Sequence, residues 1–273
     1  MRDRDCVDFL QWALPRLGMR WPGFRKVRRQ VCKRIATRVT ELGLPGLTAY
    51  RAHLDRNPGE WHVLDAMTCI TISRFYRDRG AFAALEGDVL PALAVRARGR
   101  GRATLRAWSA GCASGEEPYT LALVWDLAVG PRFPDLELMI LATDLDPAVL
   151  RRAHEACYRQ SSLKELPGKW RTAFEPMDSL QKLRRHHRLN VEIRHHDIRQ
   201  GAPNGQFDLI LCRNLVFTYF EHELQGSVGA QLVQAMRPGG ALMIGAHEEI
   251  PGAVRGLEPW PDARGVFRRV QPI

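Results

Sequence analysis

The segment GCASGEEPY at residues 111–119 joins a glycine-containing bend to two adjacent carboxylates, Glu116 and Glu117. It directly follows the apolar run 105–110, so it lies where a strand gives way to a helix, a common position for a cofactor loop. Gly111 and Gly115 allow a ligand to approach the backbone closely. Because carboxylates beside phosphate groups cost Coulomb energy, the segment favours a positively charged cofactor over a phosphorylated one.

The lack of phosphate-binding motifs also favours a cofactor without phosphate. The chain contains neither G-x-x-x-x-G-K-[ST] nor a full G-x-G-x-x-G, which disfavours nucleotide triphosphates and dinucleotides. Either glutamate could instead serve the first turn of the following helix, where the helix dipole favours a carboxylate.

Acidic residues also follow the second apolar run, LELMILATDLD at 136–146. An Asp at the end of a second strand typically accepts the hydroxyls of an adenosine ribose. Asp146 stands directly before Pro147, which is typical of a helix N-cap, and this leaves Asp144 for the ribose. A cofactor with a ribose, no phosphate, an ammonium and a sulfonium is S-adenosylmethionine.

Strand-like and helical patterns alternate beyond residue 100. The strand-like runs are 103–111, 136–146, 189–197, 207–214 and 239–247. This alternation predicts an α/β fold with a doubly wound, mostly parallel, Rossmann-like sheet, whose ligands bind at the carboxyl ends of the strands. Residues 263–271 are expected to add an antiparallel strand at the edge of this sheet.

The predicted domain organisation has two parts. Residues 1–78 form an N-terminal helical domain with its linker, because residues 6–66 show helical periodicity throughout. Residues 79–273 form the second domain. A stretch at about 159–190 fits neither strand nor helix periodicity, and its strand-like pieces are weak, so we predict a short inserted subdomain there.

The central helix of the first domain is strongly cationic. Its apolar stripe consists of Phe24, Val27, Val31, Ile35, Val39 and Leu42. The other faces carry Arg25, Lys26, Arg28, Arg29, Lys33, Arg34 and Arg38, with no acidic residue before Glu41. Unbalanced cations repel one another, so the run is interpreted either as a solvated face or as a docking surface for an anionic partner.

Composition limits the class of protein. The 273 residues are 45% apolar and carry a formal net charge of +10, which indicates a globular protein with an anionic partner. We expect no nucleic-acid binding, because only Trp21 and Phe24 offer aromatic platforms near the basic run. No apolar run approaches the roughly 20 residues of a membrane span, and the first residues do not resemble a signal peptide. The sequence therefore predicts a cytoplasmic protein without a membrane span.

Neither cysteines nor histidines predict a metal site. The six cysteines are scattered without a C-x-x-C motif, so neither a zinc ribbon nor a disulfide framework is indicated, and we expect reduced, mostly buried thiols. Two histidine pairs occupy 186–187 and 195–196. Adjacent strand residues face opposite sides of a sheet, which favours packing over metal binding at 195–196.

Four ordered motifs now show a family resemblance: SAGCASGEEPYTLAL, ATDLDPAVLRRAHEACY, FDLILCRNLVFTYFE and LVQAMRPGGALMIGAHE. They resemble the successive motifs of the CheR-type chemotaxis receptor glutamate methyltransferases. CITISRFYRD also resembles the T-N-x-T-x-F-F-R-D signature that precedes the catalytic domain in that family. The resemblance covers nearly the whole chain and implies S-adenosylmethionine-dependent formation of glutamate methyl esters on receptor helices.

The resemblance also implies roles for individual residues. Arg77 would contact the cofactor or the incoming carboxylate, with Thr71 and Ser73 at the positions of the family's Asn and Thr. Tyr219 would correspond to an aromatic hydroxyl near the transferred methyl group. Glu117 would bind near the methionine end, which leaves Glu116 to the first turn of its helix, and Asp144 would bind the ribose. The remaining contacts would come from Asp197 with Ile198 at the adenine edge, and from Asn214 with Leu215 beneath the cofactor.

Three departures from the family pattern concern the site and the acceptor. Thr71 replaces an Asn, and a hydroxyl has fewer donors than an amide. RNLVFTYF has one residue more than the family's R-N-x-x-x-Y-F, which shifts Tyr219. The insertion is shorter than the family's small β-subdomain, which docks a receptor-tail peptide in some members.

Three functions are therefore compared. The first is a protein carboxyl methyltransferase acting on an acidic helical partner such as a receptor cytoplasmic domain. The second is a methyltransferase with the same cofactor site that acts on a small anionic metabolite or amino acid. The third is a non-catalytic S-adenosylmethionine-binding or basic docking module, which the retention of Arg77, Glu117, Asp144 and Asn214 disfavours.

Overall fold

The computed structural model describes residues 2–270, which divide into two compact units. The first unit runs to Ile70 and includes Thr218–Gln225, while the second contains Thr71–Phe217 and the residues from Gly226 onward. The predicted boundary after residue 78 lies inside the second unit. Residues 271–273 of the predicted second domain lie outside the described range.

The first unit is helical. It contains α1 (Asp3–Ala13), α2 (Trp21–Phe24), α3 (Arg28–Glu41), α4 (Leu47–Arg56) and α5 (Glu60–Thr68). The apolar stripe of the cationic segment lies in the core, because α3 buries Val31, Ile35 and Val39. The cationic helix begins only at Arg28, since the chain turns between α2 and α3.

One prediction about this unit is wrong. Cys6 of α1 and Cys32 of α3 form a disulfide, with Cα atoms 6.0 Å apart. No local pattern indicates this disulfide, because the two residues are 26 positions apart and meet only when α1 packs on α3. The remaining cysteines, Cys69, Cys112, Cys157 and Cys212, are not disulfide-bonded.

The second unit combines helices and strands. Its helices are α6 (Arg79–Ala84), α7 (Leu90–Gly99), α8 (Glu116–Val124) and α9 (Pro147–Glu155), while α10 (Val216–Tyr219) and α11 (His222–Ala235) are divided between the units. Wider π-helical turns follow α6 at Leu85–Val89 and α8 at Trp125–Val129. No helix within residues 2–270 is long and apolar enough to cross a membrane.

The strands of the main sheet are β1 (Thr104–Ala110), β2 (Glu137–Asp144), β6 (Val191–His195), β7 (Phe207–Leu211), β8 (Met236–Met243), β9 (Leu257–Pro259) and β10 (Val266–Arg269). Their order is β6-β2-β1-β7-β8-β10-β9. The first five in this order pair in parallel, which confirms the α/β class and the five predicted strands. The last predicted strand is antiparallel, as expected, but it is not the edge, because the unpredicted β9 lies outside it. Residue 271 of that prediction lies outside the described residues.

A second, three-stranded antiparallel sheet takes two of its strands from the predicted insertion and its first strand from the residues just before it. It consists of β3 (Cys157–Tyr158), β4 (Phe174–Met177) and β5 (Leu180–Leu183), in the order β3-β5-β4. The Phe75 ring meets Tyr158 and Phe174 edge to face, with centroids 4.7 and 5.1 Å away. Strands that look weak in the sequence are thus supported by aromatic residues from a distant segment.

A buried ion pair joins the amino end of β1 to β7. The guanidinium of Arg102 donates to both carboxylate oxygens of Asp208, at 2.9 and 2.8 Å. The backbone N–H of Arg106 donates to the same carboxylate at 3.0 Å. Only 5% of the Asp208 side chain is exposed, so the protein, rather than water, compensates its charge.

We predict that Asp208→Ala lowers the free energy of unfolding by roughly 3 kcal/mol, because it leaves the Arg102 cation without its partner. Urea denaturation measures this change. Glu258→Ala is the matched control, since it removes an exposed pair with Arg268 and should cost less than about 1 kcal/mol. Equal losses from both variants would contradict the prediction.

Candidate cofactor site

The candidate site lies at the carboxyl ends of β1, β2 and β7. In the main sheet β1 lies between β2 and β7, and both pair with it in parallel. From β1 the chain runs outward on one side to β2 and β6, then crosses to the other side to form β7 and β8, which makes this the topological switch point where doubly wound sheets bind ligands. Of the eleven site residues predicted from the sequence, five lie within the second unit at the ends of these three strands or in the segments that follow them: Gly111, Glu117, Asp144, Asn214 and Leu215.

The loop after β1 approaches the loop after β7 closely. Gly111 has φ of +77°, and a Cβ there would lie 2.7 Å from Leu215 Cδ2. The backbone N–H groups of Gly111 and Cys112 both donate to the carbonyl oxygen of Thr143, at 2.8 and 2.9 Å. Only glycine satisfies both the conformation and the contact, so the structure brings the predicted residues Gly111 and Leu215 together.

Asp144 ends β2 and braces the same loop. Its Oδ2 accepts from the Ala113 N–H at 2.8 Å, and its Oδ1 accepts from the Asp146 N–H at 3.0 Å. Burial raises the pKa of Asp144, and these backbone donors oppose the shift. Asp146 caps α9 by accepting from Ala148 N at 2.7 Å, which confirms its predicted role as the N-cap.

Glu117 lies in the first turn of α8 with 13% of its side chain exposed. Its Oε1 accepts from Ser109 Oγ at 2.8 Å, and its Oε2 accepts from Arg213 Nη1 at 3.0 Å. Burial raises the pKa of Glu117, whereas the Arg213 cation and the Ser109 hydroxyl lower it. The result is a largely buried carboxylate suited to a cationic ligand.

Glu116 has a different environment. It accepts hydrogen bonds from Ser114 Oγ at 3.0 Å and from Ser162 Oγ at 3.2 Å. Ser162 lies in the inserted segment, and its carbonyl also accepts from Phe75 N at 3.0 Å. Glu116 therefore joins the cofactor loop to the insertion, a contact that sequence reasoning missed when it left Glu116 to the helix terminus alone.

The signature segment around Arg77 has an unusual backbone. Tyr76 and Asp78 have φ of 56° and 64°, a region that non-glycine residues seldom occupy. Tyr76 N donates to Thr120 Oγ1 at 3.0 Å, and Arg77 Nη1 donates to the Ile72 carbonyl at 2.9 Å. Such outliers concentrate at functional sites. The predicted residues Thr71 and Ser73 lie half-buried in the irregular stretch that leads into this turn.

Arg213 joins this turn to Glu117. Besides Glu117, it donates to the Arg77 carbonyl at 3.0 Å and to Asp78 Oδ2 at 2.5 Å. Its guanidinium also lies 5.2 Å from the centroid of the Phe82 ring. In the sequence, only the position of Arg213 in the Arg-Asn pair after a buried strand distinguishes it from other arginines.

Asn214 follows in a left-handed conformation, with φ of 53°. Glu248 holds this turn, because its Oε2 accepts from the N–H groups of Asn214 and Gly245, both at 2.7 Å. A Cβ at Gly245 would lie 3.0 Å from Asn214 Oδ1. Sequence reasoning missed this role of Glu248, which ties the loop after β7 to the loop after β8.

Two predicted site residues follow β6. Asp197 caps a short turn and is ion-paired with Arg199, whose Nε lies 2.9 Å from Oδ1. Its carboxylate is thus already engaged, while Ile198 beside it is buried. The histidines before them contact separate carbonyls: His195 Nε2 lies 3.0 Å from Leu145 O, and His196 Nε2 lies 2.8 Å from Gly201 O.

The predicted catalytic residue Tyr219 belongs by its contacts to the helical unit. Its ring lies 5.0 Å from that of Phe24, and its carbonyl accepts from Arg20 N at 2.8 Å. Its catalytic role stays a prediction. In the described part of the chain, no group of three or more acidic, histidine or cysteine side chains is arranged to hold a metal ion.

Comparison with known proteins places this site in context. The family model described as "CheR methyltransferase, SAM binding domain" matches residues 71–263. A chemotaxis protein methyltransferase of Listeria monocytogenes is 39% identical over 186 residues, which cover 68% of each chain. A probable chemotaxis protein methyltransferase of Rhizobium etli is 31% identical over 239 residues, covering 82% of this chain and 85% of the relative.

The parallel sheet and the carboxylate-bearing loop at its switch point define an S-adenosylmethionine-dependent methyltransferase. Glu117 and Asp144 are the two carboxylates that the sequence predicts as acceptors for an ammonium and a ribose. The chain belongs to the CheR methyltransferase family. The resemblance stated from the sequence is thereby confirmed, whereas the roles of individual residues stay predictions.

Glutamine substitutions test the division between the two glutamates. We expect Glu117→Gln to weaken S-adenosylmethionine binding about tenfold or more, because it removes a charge-assisted contact. Glu116→Gln should mainly lower the melting temperature, since Glu116 is bonded within the protein. Calorimetric titration and thermal unfolding of both variants measure these effects. Equal losses of affinity would show that the roles were divided wrongly.

Cofactor affinity should also depend on pH. The raised pKa of Glu117 means that this carboxyl takes up a proton at a higher pH than an ordinary Glu, for which the pKa is about 4.3. A cationic ligand prefers the ionised form, so the affinity falls as the pH falls through the raised pKa. Asp144, whose pKa is also raised, acts in the same direction. Titrations in a pH series, with Glu117→Gln as control, should show a smaller dependence in the variant.

Proposed function

We propose that the protein, acting in the cytoplasm, transfers the methyl group of S-adenosylmethionine to glutamate side chains of an acidic helical partner such as a receptor cytoplasmic domain. One observation carries this proposal. Arg213 donates both to the buried Glu117 carboxylate and to the backbone carbonyl of Arg77, and so holds the turn that contains Arg77 beside Glu117. One hydrogen-bond network would thus hold both Glu117, the carboxylate for the cationic cofactor, and Arg77, the cation for the anionic acceptor. The names of the relatives support a chemotaxis role.

The residues present fit this cofactor. Glu117 would bind the ammonium, Asp144 the ribose, and Ile198 beside Asp197 the adenine. The close approach of Gly111 to Leu215 brings the loops after β1 and β7 together where the cofactor would bind, with Asn214 next to Leu215. Thr71, Ser73 and Arg77 would complete the site from the signature segment.

The proposed chemistry requires charge balance rather than a strong base. The acceptor carboxylate is already ionised at neutral pH. When bound, the cofactor supplies a methyl group on a sulfonium: the carboxylate oxygen–carbon bond forms as the sulfur–carbon bond breaks, leaving a neutral ester and a neutral thioether. Opposite charges disappear in this step, so exclusion of water favours it. Arg77 would orient the carboxylate in line with the methyl group.

The helical unit offers a cationic surface for the acidic partner. Three of the seven cations of the segment are engaged: Arg28 pairs with Asp3 at 3.0 Å, Arg38 with Glu60 at 2.9 Å, and Arg34 donates to the carbonyls of Met67 and Cys69. The other four, Arg25, Lys26, Arg29 and Lys33, are exposed. We therefore propose these four residues as the docking surface.

The enzymatic test measures base-labile methanol released from receptor cytoplasmic domains after incubation with radiolabelled S-adenosylmethionine. We expect methanol from the intact domains and none when their acceptor glutamates are replaced by alanine. Cofactor binding without any methanol would reject the proposal. Turnover of free carboxylic or amino acids would instead favour the small-metabolite methyltransferase.

Charge reversal tests the docking surface. We expect Arg29→Glu/Lys33→Glu to raise KM for the receptor domain at least about tenfold at low salt, because attraction becomes repulsion. Arg4→Glu/Arg56→Glu is the matched control, since it changes the same charge at exposed sites of the same unit. The affinity for the cofactor should be unchanged in both. An equal rise of KM in the control would mean that net charge, not this surface, guides the partner.

A further inference from the structure

Arg213 is the most completely buried cation near the candidate site. Only 3% of its side chain is exposed, and it contacts two regions that are far from it and from each other in sequence. One is the first turn of α8, through Glu117. The other is the signature turn with the adjoining α6, through the Arg77 carbonyl, Asp78 and the ring of Phe82. A buried charge persists only when it is paired and hydrogen-bonded, so these contacts depend on one another.

We propose that Arg213 is a positioning residue of the methyl-transfer site, which holds the Glu117 carboxylate toward the cofactor and fixes the turn that presents Arg77 to the acceptor. This rests on the proposed cofactor and acceptor roles of those two residues. Arg213 itself is assigned no contact with either ligand. It acts through the two groups that it holds.

The first action concerns Glu117. Ser109 Oγ donates to one carboxylate oxygen of Glu117, and Arg213 Nη1 donates to the other. These two bonds hold the Glu117 side chain in one orientation. The charged and titratable groups around it are Arg213 and Arg77, whose cations favour its ionised form, and the thiols of Cys112 and Cys212. Burial raises the pKa of both thiols, which keeps them neutral. Arg213 is therefore the principal compensating charge.

The second action concerns the backbone around Arg77. The left-handed conformations of Tyr76 and Asp78 are unfavourable for residues with a Cβ and require support from neighbours. One nitrogen of Arg213, Nη2, donates both to the Arg77 carbonyl and to the Asp78 carboxylate. Removing these bonds allows the turn to relax and Arg77 to leave its position.

The planar fork of arginine suits both tasks at once. Nη1 is directed at Glu117 while Nη2 is directed at the turn. A lysine ammonium in the same place keeps the charge but lacks the fixed geometry that reaches both partners. Loss of charge and loss of geometry should therefore have separable consequences.

The test uses Arg213→Met, Arg213→Lys and Asp78→Asn in the full chain. Calorimetric titration with S-adenosylmethionine across a pH series needs no methyl acceptor, so failure of the proposed acceptor would not affect this readout. We expect Arg213→Met to weaken binding about tenfold or more and to move the pH at which affinity falls upward, because Glu117 loses its compensating cation. Arg213→Lys should retain most of the wild-type pH dependence. Asp78→Asn should leave it unchanged but slow methyl transfer to the receptor domain.

Two controls separate positioning from stability. Arg102→Met removes another internal cation of the same unit, paired with Asp208, and should lower the melting temperature without moving the pH dependence of binding. In the Glu117→Gln background, Arg213→Met should cause no further pH shift. If Arg213→Met lowers the melting temperature but keeps wild-type affinity and pH dependence, the proposal is overturned. If Arg213→Met does not fold, the other two variants decide: wild-type cofactor affinity in Arg213→Lys, which lacks the fixed fork geometry, together with an unchanged transfer rate in Asp78→Asn would overturn the proposal.

Discussion

The need to compensate the buried charge of Arg213 organises the candidate site. A guanidinium removed from water requires acceptors with good geometry, and here they come from Glu117, Asp78 and the backbone of Arg77. Glu117 belongs to α8, whereas Asp78 and the Arg77 carbonyl belong to the signature turn. The hydrogen bonds of this one cation therefore fix the loop before α8 and the signature turn together. The same interaction keeps a carboxylate ionisable where burial alone would favour its neutral form.

The loops around this cation are held by a second set of polar contacts. Asp144 accepts from the backbone of the loop after β1, and Glu248 accepts from the loops after β7 and β8. In both cases a carboxylate replaces the missing backbone partners of a tight turn. The site is therefore preorganised by side chains that bind backbone rather than by regular structure, which explains how non-glycine residues such as Asn214 keep left-handed conformations.

In the helical unit, acidic residues from other helices pair with some of the cations of α3. The sequence suggested seven uncompensated cations, yet Asp3 and Glu60 reach Arg28 and Arg38 from other helices. These pairs are invisible to a local reading, because their partners are distant in sequence. Four exposed cations of the seven remain, and these define the proposed docking surface more closely than the whole cationic segment does. The disulfide between α1 and α3 was missed for the same reason.

The sequence by itself determined the α/β class, the order of the parallel strands along the chain, the capping role of Asp146 and the kind of cofactor. Each of these depends on local periodicity, on motifs at strand ends or on the chemistry of a single loop, which short stretches of residues specify. Only the tertiary structure decided that Arg213 joins Glu117 to the Arg77 turn, that Glu116 binds the insertion and that β9 forms the sheet edge. It also showed the Asp197 carboxylate engaged by Arg199. The contacts of Arg213 and Glu116 depend on which distant residues come together when apolar faces pack, and no local pattern encodes such contacts.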